Sequence, residues 1–480
     1  MLFGIIHAPY AAPYSAVDAR PDAAGLTIST TLLRRSCPIP ILSTRLETFH
    51  EPDRELPVLG EFDVLVCGGG PAGCAAAVAS ARHGANTLLV EKSGALGGAP
   101  VTQGVCVVLS TNAVDFQGMW HEWARRLQNY NGISRFVRTS SPLYPNEVEW
   151  FRTSVDPECV KRAWDELADE AGARQLLHAY AAGVVIEENA VAGVILETRA
   201  GRQVVRARRV IDATGDAIVC SQAGIPWHRG VDNKPWPQAV SLTAIAGFTS
   251  GMPGYVPGEM QHGGPGTRGN RPERGFGRGD RKEVDPLDPW AVSDAVRALR
   301  REMWARSNKL QPNRYLIATA DELGVRTSRI VVGRKTITND DAWDYRRRDD
   351  GIARSSWELD VHPPDEEPIP ERYFHSESAV YSERNKRSVA GEYFDIPYGA
   401  IIASEVNNLL VAGRIVSSEL LAQGSLRIQQ TCMSTGQAAG TAAALSIADN
   451  VLPQDLDLAK LQSTLAKDRD IAPALGLPRP

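Results

Sequence analysis

The stretch that decides the fold is residues 62–92, FDVLVCGGGPAGCAAAVASARHGANTLLVEK. Its first six residues are almost wholly apolar, as expected of a short strand buried in a parallel sheet. The next six match G-x-G-x-x-G, and the small residues after them predict a helix that lies close to the sheet and ends near Gly84. A second apolar strand, 87–90, ends at Glu91, 18 positions after the last glycine of the motif. This order predicts a dinucleotide-binding βαβ unit.

The three glycines of the motif have separate predicted roles. Gly68 permits a tight turn, Gly70 lets the backbone approach a pyrophosphate, and Gly73 lets helix and strand pack closely. The N-terminus of the helix predicted at 75–82 offers free N–H groups and a positive dipole end to the phosphates. The alternative is a glycine-rich turn that holds no ligand.

The acid that ends the second strand is the predicted ribose ligand. Glu91, with Lys92 beside it, stands close to the roughly 20-residue spacing expected for a carboxylate that binds ribose hydroxyls. A second match to the motif, residues 264–269, follows no apolar strand and precedes no helix pattern. It lies in a run rich in Gly, Pro and Arg, 251–282, so we expect a loop there and a single dinucleotide site.

Composition excludes several classes of protein. The 480 residues are 43% apolar and 23% charged, with a net charge of −5, which gives no indication of nucleic-acid binding. Seven scattered cysteines without C-x-x-C favour a reducing, cytoplasmic location and argue against a disulfide framework or a metal site. No apolar run approaches about 18 residues, so we expect no membrane span.

The pattern along the chain predicts four regions. Residues 1–58 are an extension, and 59–250 are the first part of the nucleotide-binding domain. Within the latter, strands at 175–180, 183–187, 192–197 and 209–211 form a crossover that carries a β-meander. Irregular, Pro- and Gly-rich sequence predicts an inserted substrate or cap domain at 251–390. Residues 391–480 return to the first domain with a strand at 408–414 and a Gly/Ala-rich helix at 433–447.

Three blocks, 62–98, 211–216 and 409–440, resemble the FAD-dependent oxidoreductases of glutathione-reductase-type fold. The nearest likeness is to the FAD-dependent oxidoreductase family beside the fumarate reductases and ketosteroid dehydrogenases. The resemblance implies an α/β fold, in which a Rossmann-like FAD-binding domain with a β-meander crossover carries an inserted α+β substrate or cap domain. It implies FAD contacts at Gly68, Gly70, Pro71, Ala72, Gly73, Glu91, Lys92, Gly97, Gly98, Ala181, Ala213, Gly215, Asp216, Gly413, Arg414, Gly436 and Gln437. Relatives that attach FAD covalently use a histidine near Gly97, where this chain has none, so we expect non-covalent FAD.

Three residues are candidates for catalysis. His362 could take a proton while flavin takes a hydride, although a single histidine is often only structural. Tyr398 is a second candidate for this role. Arg427, just before the Gly/Ala-rich helix, could stabilise negative charge on reduced flavin, unless it forms an ordinary ion pair. Arg326 and Arg329 could bind a substrate carboxylate, with surface ion pairs as the alternative.

These features favour a dehydrogenase or oxidase that takes a hydride from a small organic substrate. The electrons would pass to oxygen or an external carrier, since only one dinucleotide site is visible. The alternatives are a reductase of an activated C=C bond and a flavin-binding isomerase or hydratase without net redox turnover. A homodimer is possible.

Overall fold

A sheet of seven strands places the glycine turn at its centre. The computed structural model describes residues 49–110, 112–134, 137–140, 149–231, 234–235, 238–248, 284–307, 314–361, 384 and 386–469. Contacts divide the chain into Met1–Glu55 and Leu56–Pro480, and every element below lies in the second unit.

The described strands are β1 Val58–Cys67, β2 Thr87–Val90, β3 Val107–Ser110, β4 Val137–Ser140, β5 Glu149–Ser154, β6 Arg174–Leu176, β7 Tyr180–Glu187, β8 Ala190–Thr198, β9 Gly201–Asp212, β10 Trp227–His228, β11 Gly230–Val231, β12 Lys234–Pro235, β13 Ala244–Phe248, β14 Arg314–Thr319, β15 Ile330–Val331, β16 Gly351–Ser355, β17 Phe394–Pro397 and β18 Leu409–Val411. The described α-helices are α1 Pro71–Arg82, α2 Ala99–Thr102, α3 Met119–Asn129, α4 Pro157–Ala171, α5 Ile218–Gln222, α6 Pro289–Ser307, α7 Asn339–Trp343, α8 Leu420–Leu426, α9 Gln429–Ala448 and α10 Leu458–Arg469.

The sheet is parallel at its core and antiparallel on one side. Strands β6, β2, β1 and β9 lie next to one another in that order and run parallel, and β18 adds in parallel beside β9. Strands β7 and β8 continue from β9 as an antiparallel meander. This arrangement confirms the predicted Rossmann-like domain with a β-meander crossover.

The predicted strand 175–180 is in fact two separate elements. Its first half belongs to β6, which extends the parallel sheet beside β2, and its end belongs to β7 of the meander. His178 lies between them with a φ of 55°. A left-handed residue turns the chain and ends an extended segment, which the apolar pattern does not reveal.

The helix predicted at 433–447 begins four residues earlier, at Gln429. The first turn consists of Gln429, Gln430, Thr431 and Cys432, which are all buried although three of them are polar. Because these side chains give no apolar period, only the Gly/Ala-rich part was recognisable as a helix.

Helices α1 and α9 are packed backbone to backbone. A Cβ atom added at Gly436 would collide with the Ala72 carbonyl oxygen, and one added at Gly440 would collide with the Ala76 carbonyl oxygen. The later residue of one helix contacts the later residue of the other, so the two helices run parallel. Only glycine at these two positions permits this distance.

A second, smaller core joins residues 240–244 to one portion of the inserted part, whereas residues 330–361 belong to the main core. Strands β13 and β14 pair antiparallel, and α6 packs against this region through Ala295, Leu299 and Met303. Elsewhere the inserted part joins the first domain directly, since β16 pairs with β17. The three boundaries between the four predicted regions stay a prediction. Across the described residues, no helix combines the length and apolar character needed to cross a bilayer.

We expect Gly436→Ala and Gly440→Ala each to lower the free energy of unfolding by about 1–3 kcal/mol or more, because the added Cβ atom overpacks the contact with α1. The measurement is the denaturant midpoint at equilibrium. Ala448→Leu adds bulk at the exposed end of the same helix and should change stability by less than about 0.5 kcal/mol. Unchanged stability in the glycine variants would contradict the close helix contact.

Candidate functional site

A cavity of about 600 Å³ opens at the carboxyl ends of the parallel strands. Its wall includes the residues that follow each of four strands: Gly68 after β1, Glu91 after β2, Ala213 after β9 and Gly413 after β18. The strand order reverses between β1 and β9, and this is where open α/β sheets bind ligands. The volume lies within the range of roughly 300–1,000 Å³ typical of cofactor and ligand sites.

The glycine turn has the geometry that its sequence predicts. Gly68 has a φ of 104°, which favours glycine, and Gly73 touches the Gly68 carbonyl so closely that no Cβ atom fits between helix and strand. At Gly70, by contrast, an added Cβ atom would meet only the Gly98 Cα atom, at 4.0 Å. The space over Gly70 is therefore open to the cavity. No side chain caps α1, so its first N–H groups face this space without a side-chain partner.

Glu91 is held rigidly at the edge of the cavity. Its Oε2 atom accepts a hydrogen bond from the Gly69 N–H at 2.6 Å, and its Oε1 atom accepts one from Ser93 at 2.8 Å. The side chain is only 7% exposed. Each carboxylate oxygen has further lone pairs, so the group can still accept hydrogen bonds from ligand hydroxyls. The neighbouring Lys92 forms an ion pair with Glu322 at 2.9 Å.

The turn after β9 is fixed by Arg414. Its guanidinium donates to the Gly215 carbonyl and to the Asp216 carboxylate, and at 2.7 Å to the Val325 carbonyl. Burial would raise the pKa of Asp216, but the charge of Arg414 and a hydrogen bond from Ser328 hold it below its usual value. The side chain of Arg414 is thus engaged with the protein, while the residue still lines the cavity.

The far part of the cavity is positively charged. Arg427 donates to Asp360 twice, to its carbonyl at 2.6 Å and to Oδ2 at 3.0 Å. Arg326 donates to the Ala239 carbonyl and has no carboxylate partner among the described residues. Burial and the charge of Arg427 lower the pKa of Arg326 to about 10. Two guanidinium groups and one carboxylate therefore give this part, which Trp357 also lines, a net positive charge.

The N-terminus of α9 forms the wall beside these arginines. Ile428 precedes the helix and cannot cap it. Gln429 donates from Nε2 to the Val105 carbonyl at 2.8 Å, and Gln430 donates to the Leu109 carbonyl at 2.6 Å. All of these residues line the cavity. The first N–H groups of α9 therefore have no side-chain cap at this wall.

Several predicted residues do not line the cavity. Tyr398 is buried and donates to the Pro453 carbonyl at 2.6 Å, and burial raises its pKa. This corrects its placement as a catalytic candidate. The Gln437 side chain accepts a hydrogen bond from the Met119 N–H at 3.2 Å, on the side of α9 that packs on α3. Further predicted FAD contacts that the cavity wall does not include are Gly73, Gly97, Ala181 and Gly436. His362 lies outside the described residues.

The remaining predicted residues share the one cavity wall: Gly68, Gly70, Pro71, Ala72, Glu91, Lys92, Gly98, Ala213, Gly215, Asp216, Gly413, Arg414 and Arg427. Sequence reasoning missed Gln429, Gln430, Trp357 and Asp360. Extending the helix predicted at 433–447 by one turn toward Arg427 would have included the two glutamines. In the part of the chain that the structure describes, no group of three or more His, Cys, Asp or Glu residues could hold a metal ion.

Comparison with known proteins decides the family. The sequence model of the family described as "FAD dependent oxidoreductase" matches residues 63–263 and 278–465. The chain belongs to this family. It is therefore an FAD-dependent oxidoreductase, and FAD is its cofactor.

Individual relatives match over shorter segments. Digeranylgeranylglycerophospholipid reductase 2 of Methanopyrus kandleri is 32% identical over 161 residues, which cover 32% of this chain and 38% of that protein. The mitochondrial dihydrolipoyl dehydrogenase of Schizosaccharomyces pombe is 38% identical over 78 residues, which cover 16% of this chain and 15% of that protein. Among solved structures, a geranylgeranyl bacteriochlorophyll reductase-like protein from Thermoplasma acidophilum is 14% identical with a TM-score of 0.42, covering 86% of this chain and 84% of that chain.

The cavity residues fit the cofactor of the family. The open space over Gly70 and the uncapped start of α1 suit a pyrophosphate, and the fixed Glu91 carboxylate suits ribose hydroxyls. A bound flavin would supply hydride chemistry, while the chain supplies orientation and charge.

We expect Glu91→Gln to weaken FAD binding by roughly tenfold or more, because an amide offers one acceptor where the carboxylate offers two. One of the two backbone donors, Gly69 or Ser93, would then lose its partner. The measurement is a titration of flavin-free protein with FAD, followed by quenching of flavin fluorescence. Glu187→Gln, on the exposed end of β7, is the matched control and should bind FAD normally. Equal affinity in both variants would argue against a ligand role for Glu91.

Proposed function

We propose that FAD binds non-covalently along this cavity, with its pyrophosphate at the glycine turn and its flavin ring at the positively charged part. The observation that carries the proposal is that one continuous cavity reaches from Gly68 and Glu91 to Arg326 and Arg427. The charge of the cavity wall supports this orientation of FAD, since a reduced flavin is anionic and is stabilised by nearby guanidinium groups and by a helix N-terminus.

The proposed reaction is the oxidation of a small organic substrate. The substrate gives a hydride to the flavin, and the electrons then pass to oxygen or an external carrier. Support comes from the single glycine motif in a βαβ context, which leaves the described residues with no second dinucleotide turn for a nicotinamide donor. Asp360, which lines the cavity beside Arg427, is proposed as a proton acceptor in place of Tyr398, and His362 stays a prediction of the sequence.

A second candidate is the reduction of an activated C=C bond. It is favoured by the name of the Methanopyrus kandleri relative, a phospholipid reductase, although the match covers only 38% of that protein. Arg326 and Arg427 would then stabilise the negative charge that develops on the activating group when a hydride adds to the double bond.

Anaerobic absorption spectroscopy distinguishes the two candidate reactions, oxidation of a substrate and reduction of a C=C bond. Oxidised enzyme is mixed with sets of hydroxy acids, amino acids and alcohols, and bleaching of the visible flavin band identifies a hydride donor. Photoreduced enzyme is mixed with activated alkenes, and return of the band identifies a hydride acceptor. Bleaching by a donor supports the oxidase or dehydrogenase. Return of the band with alkenes alone supports the reductase, and turnover of a substrate without any change of the flavin would indicate an isomerase or hydratase.

We also propose a cytoplasmic location for the enzyme. In support, all six cysteines in the described part of the chain are free. The homodimer stays a prediction of the sequence.

We expect Arg427→Gln to lower the two-electron reduction potential of bound FAD by about 30–60 mV, because reduced flavin loses one charged partner. The measurement is a dye-coupled redox titration. Arg427→Lys keeps the charge and should change the potential less. Arg387→Gln removes a partly exposed arginine that is paired with Glu392 and serves as the control for general damage. A potential that is unchanged or higher in Arg427→Gln would contradict the proposed role.

A further inference from the structure

Arg326 carries hydrogen-bond donors that the protein does not use. A guanidinium group has five N–H groups. One of those on Nη1 donates to the Ala239 carbonyl, and the other four have no partner among the described residues. The Nε and Nη2 atoms are not enclosed either, since each keeps accessible surface. These two nitrogens form one edge of the guanidinium plane, and such an edge binds a carboxylate through two parallel hydrogen bonds.

This edge of Arg326 opens into the cavity. Burial is the main reason why its pKa is lowered to about 10, so the guanidinium lies deep in the protein. The segment from Leu323 to Arg326 lines the cavity, and the charged groups that act on the guanidinium, Arg427 and Asp360, line it as well. A group at this depth can keep accessible nitrogen atoms only toward an internal space, which here is the cavity.

The charge balance in this part of the cavity favours a ligand with one negative charge. Arg427 donates twice to Asp360, so this pair contributes almost no net charge. Arg326 therefore leaves an excess of one positive charge. A carboxylate carries one negative charge, whereas a phosphate monoester carries roughly 1.5–2 at neutral pH. Both the charge and the planar edge of Arg326 therefore match a carboxylate.

Apolar side chains form much of the remaining wall. Trp357 packs with Leu109 and Ile428 in one cluster, and Leu323 packs with Val292 in another. Both clusters contribute to the cavity wall. A ligand with an apolar body would remove this surface from water, which is favourable in proportion to the apolar area that is buried.

We propose that Arg326 binds the carboxylate of the substrate through its Nε–Nη2 edge, and that the substrates are organic acids with an apolar body. This inference rests on the proposed function, because only a flavin ring at the positively charged part of the cavity lies beside a substrate held in this way. Arg326 thus determines which substrates bind, whereas the proposed role of Arg427 is to stabilise the reduced flavin.

The structure distinguishes Arg326 from Arg329, although the sequence makes both candidates for a carboxylate. Arg329 donates to the Asp216 carbonyl at 2.8 Å, and its guanidinium lies 5.1 Å from the centre of the Trp227 ring. Its Nε atom is enclosed, and the residue is not part of the cavity wall. Arg329 therefore provides a matched control, with the same charge three positions along the chain.

The test compares ligands that differ in charge. Wild type, Arg326→Gln, Arg326→Lys and Arg329→Gln are titrated as FAD-loaded enzymes with benzoate, benzamide and phenyl phosphate. Affinities come from isothermal titration calorimetry, and difference spectra of the flavin band report whether the ligand lies beside the ring. Benzamide has nearly the shape of benzoate but no charge. Arg326→Lys keeps the charge without the two-donor edge, so it remains informative if the glutamine variant does not fold.

We expect wild type and Arg329→Gln to bind benzoate at least about tenfold more tightly than benzamide, with a change in the flavin band. In Arg326→Gln the preference should fall to within about threefold of unity, and Arg326→Lys should lie between the two. The assignment would be overturned by a wild type without preference, by a preference that survives in Arg326→Gln or is lost in Arg329→Gln, or by tighter binding of phenyl phosphate than of benzoate.

Other outcomes identify a failure of the proposed function itself. A wild type that holds no FAD and takes up none would refute the cofactor site, and the substrate role of Arg326 with it. A preference for benzoate that depends on Arg326 but leaves the flavin band unchanged would refute the placement of the ring. Loss of FAD from both Arg326 variants would assign the residue to the cofactor and overturn its role in substrate binding.

Discussion

The contact on which the site depends is the close approach of α1 and α9. Gly436 and Gly440 lie directly against the carbonyl groups of Ala72 and Ala76, so the two helices run parallel with both N-termini at the cavity. Counted back from this contact, α9 begins six residues earlier than α1 does. The N-terminus of α9 therefore lies about 9 Å beyond the N-terminus of α1. Two helix ends without side-chain caps therefore lie at different positions along one cavity wall.

The two ends of the cavity come from different parts of the chain and serve different purposes. The turns after the parallel strands, with Gly70 and Glu91, form an end that suits a dinucleotide. The other end combines Arg427, from the returning segment, with Arg326 and Asp360 from the inserted part. A small separate core lies around α6 and β13, whereas residues 330–361 of the inserted part pack in the main core with the sheet.

The end of the cavity at the glycine turn could be predicted from local patterns in the sequence. Strand, glycine turn, helix and acid follow one another within residues 62–92, and the structure has each of them. The second end depends on contacts between distant segments, which no local pattern encodes. Tyr398 shows the difference: its position at the domain return suggested catalysis, yet its hydroxyl is bonded to Pro453 and buried away from the cavity wall. Gln429 was missed because a buried polar first turn has no apolar period.

Flavin release on denaturation tests the central claim most directly. The absorption spectrum of the purified protein is recorded, the protein is denatured and precipitated, and the supernatant is measured. Non-covalent FAD in this cavity predicts flavin bands that leave with the supernatant. Bands that stay with the precipitate would contradict non-covalent binding, and a colourless protein that takes up no added FAD would contradict the cofactor site as a whole.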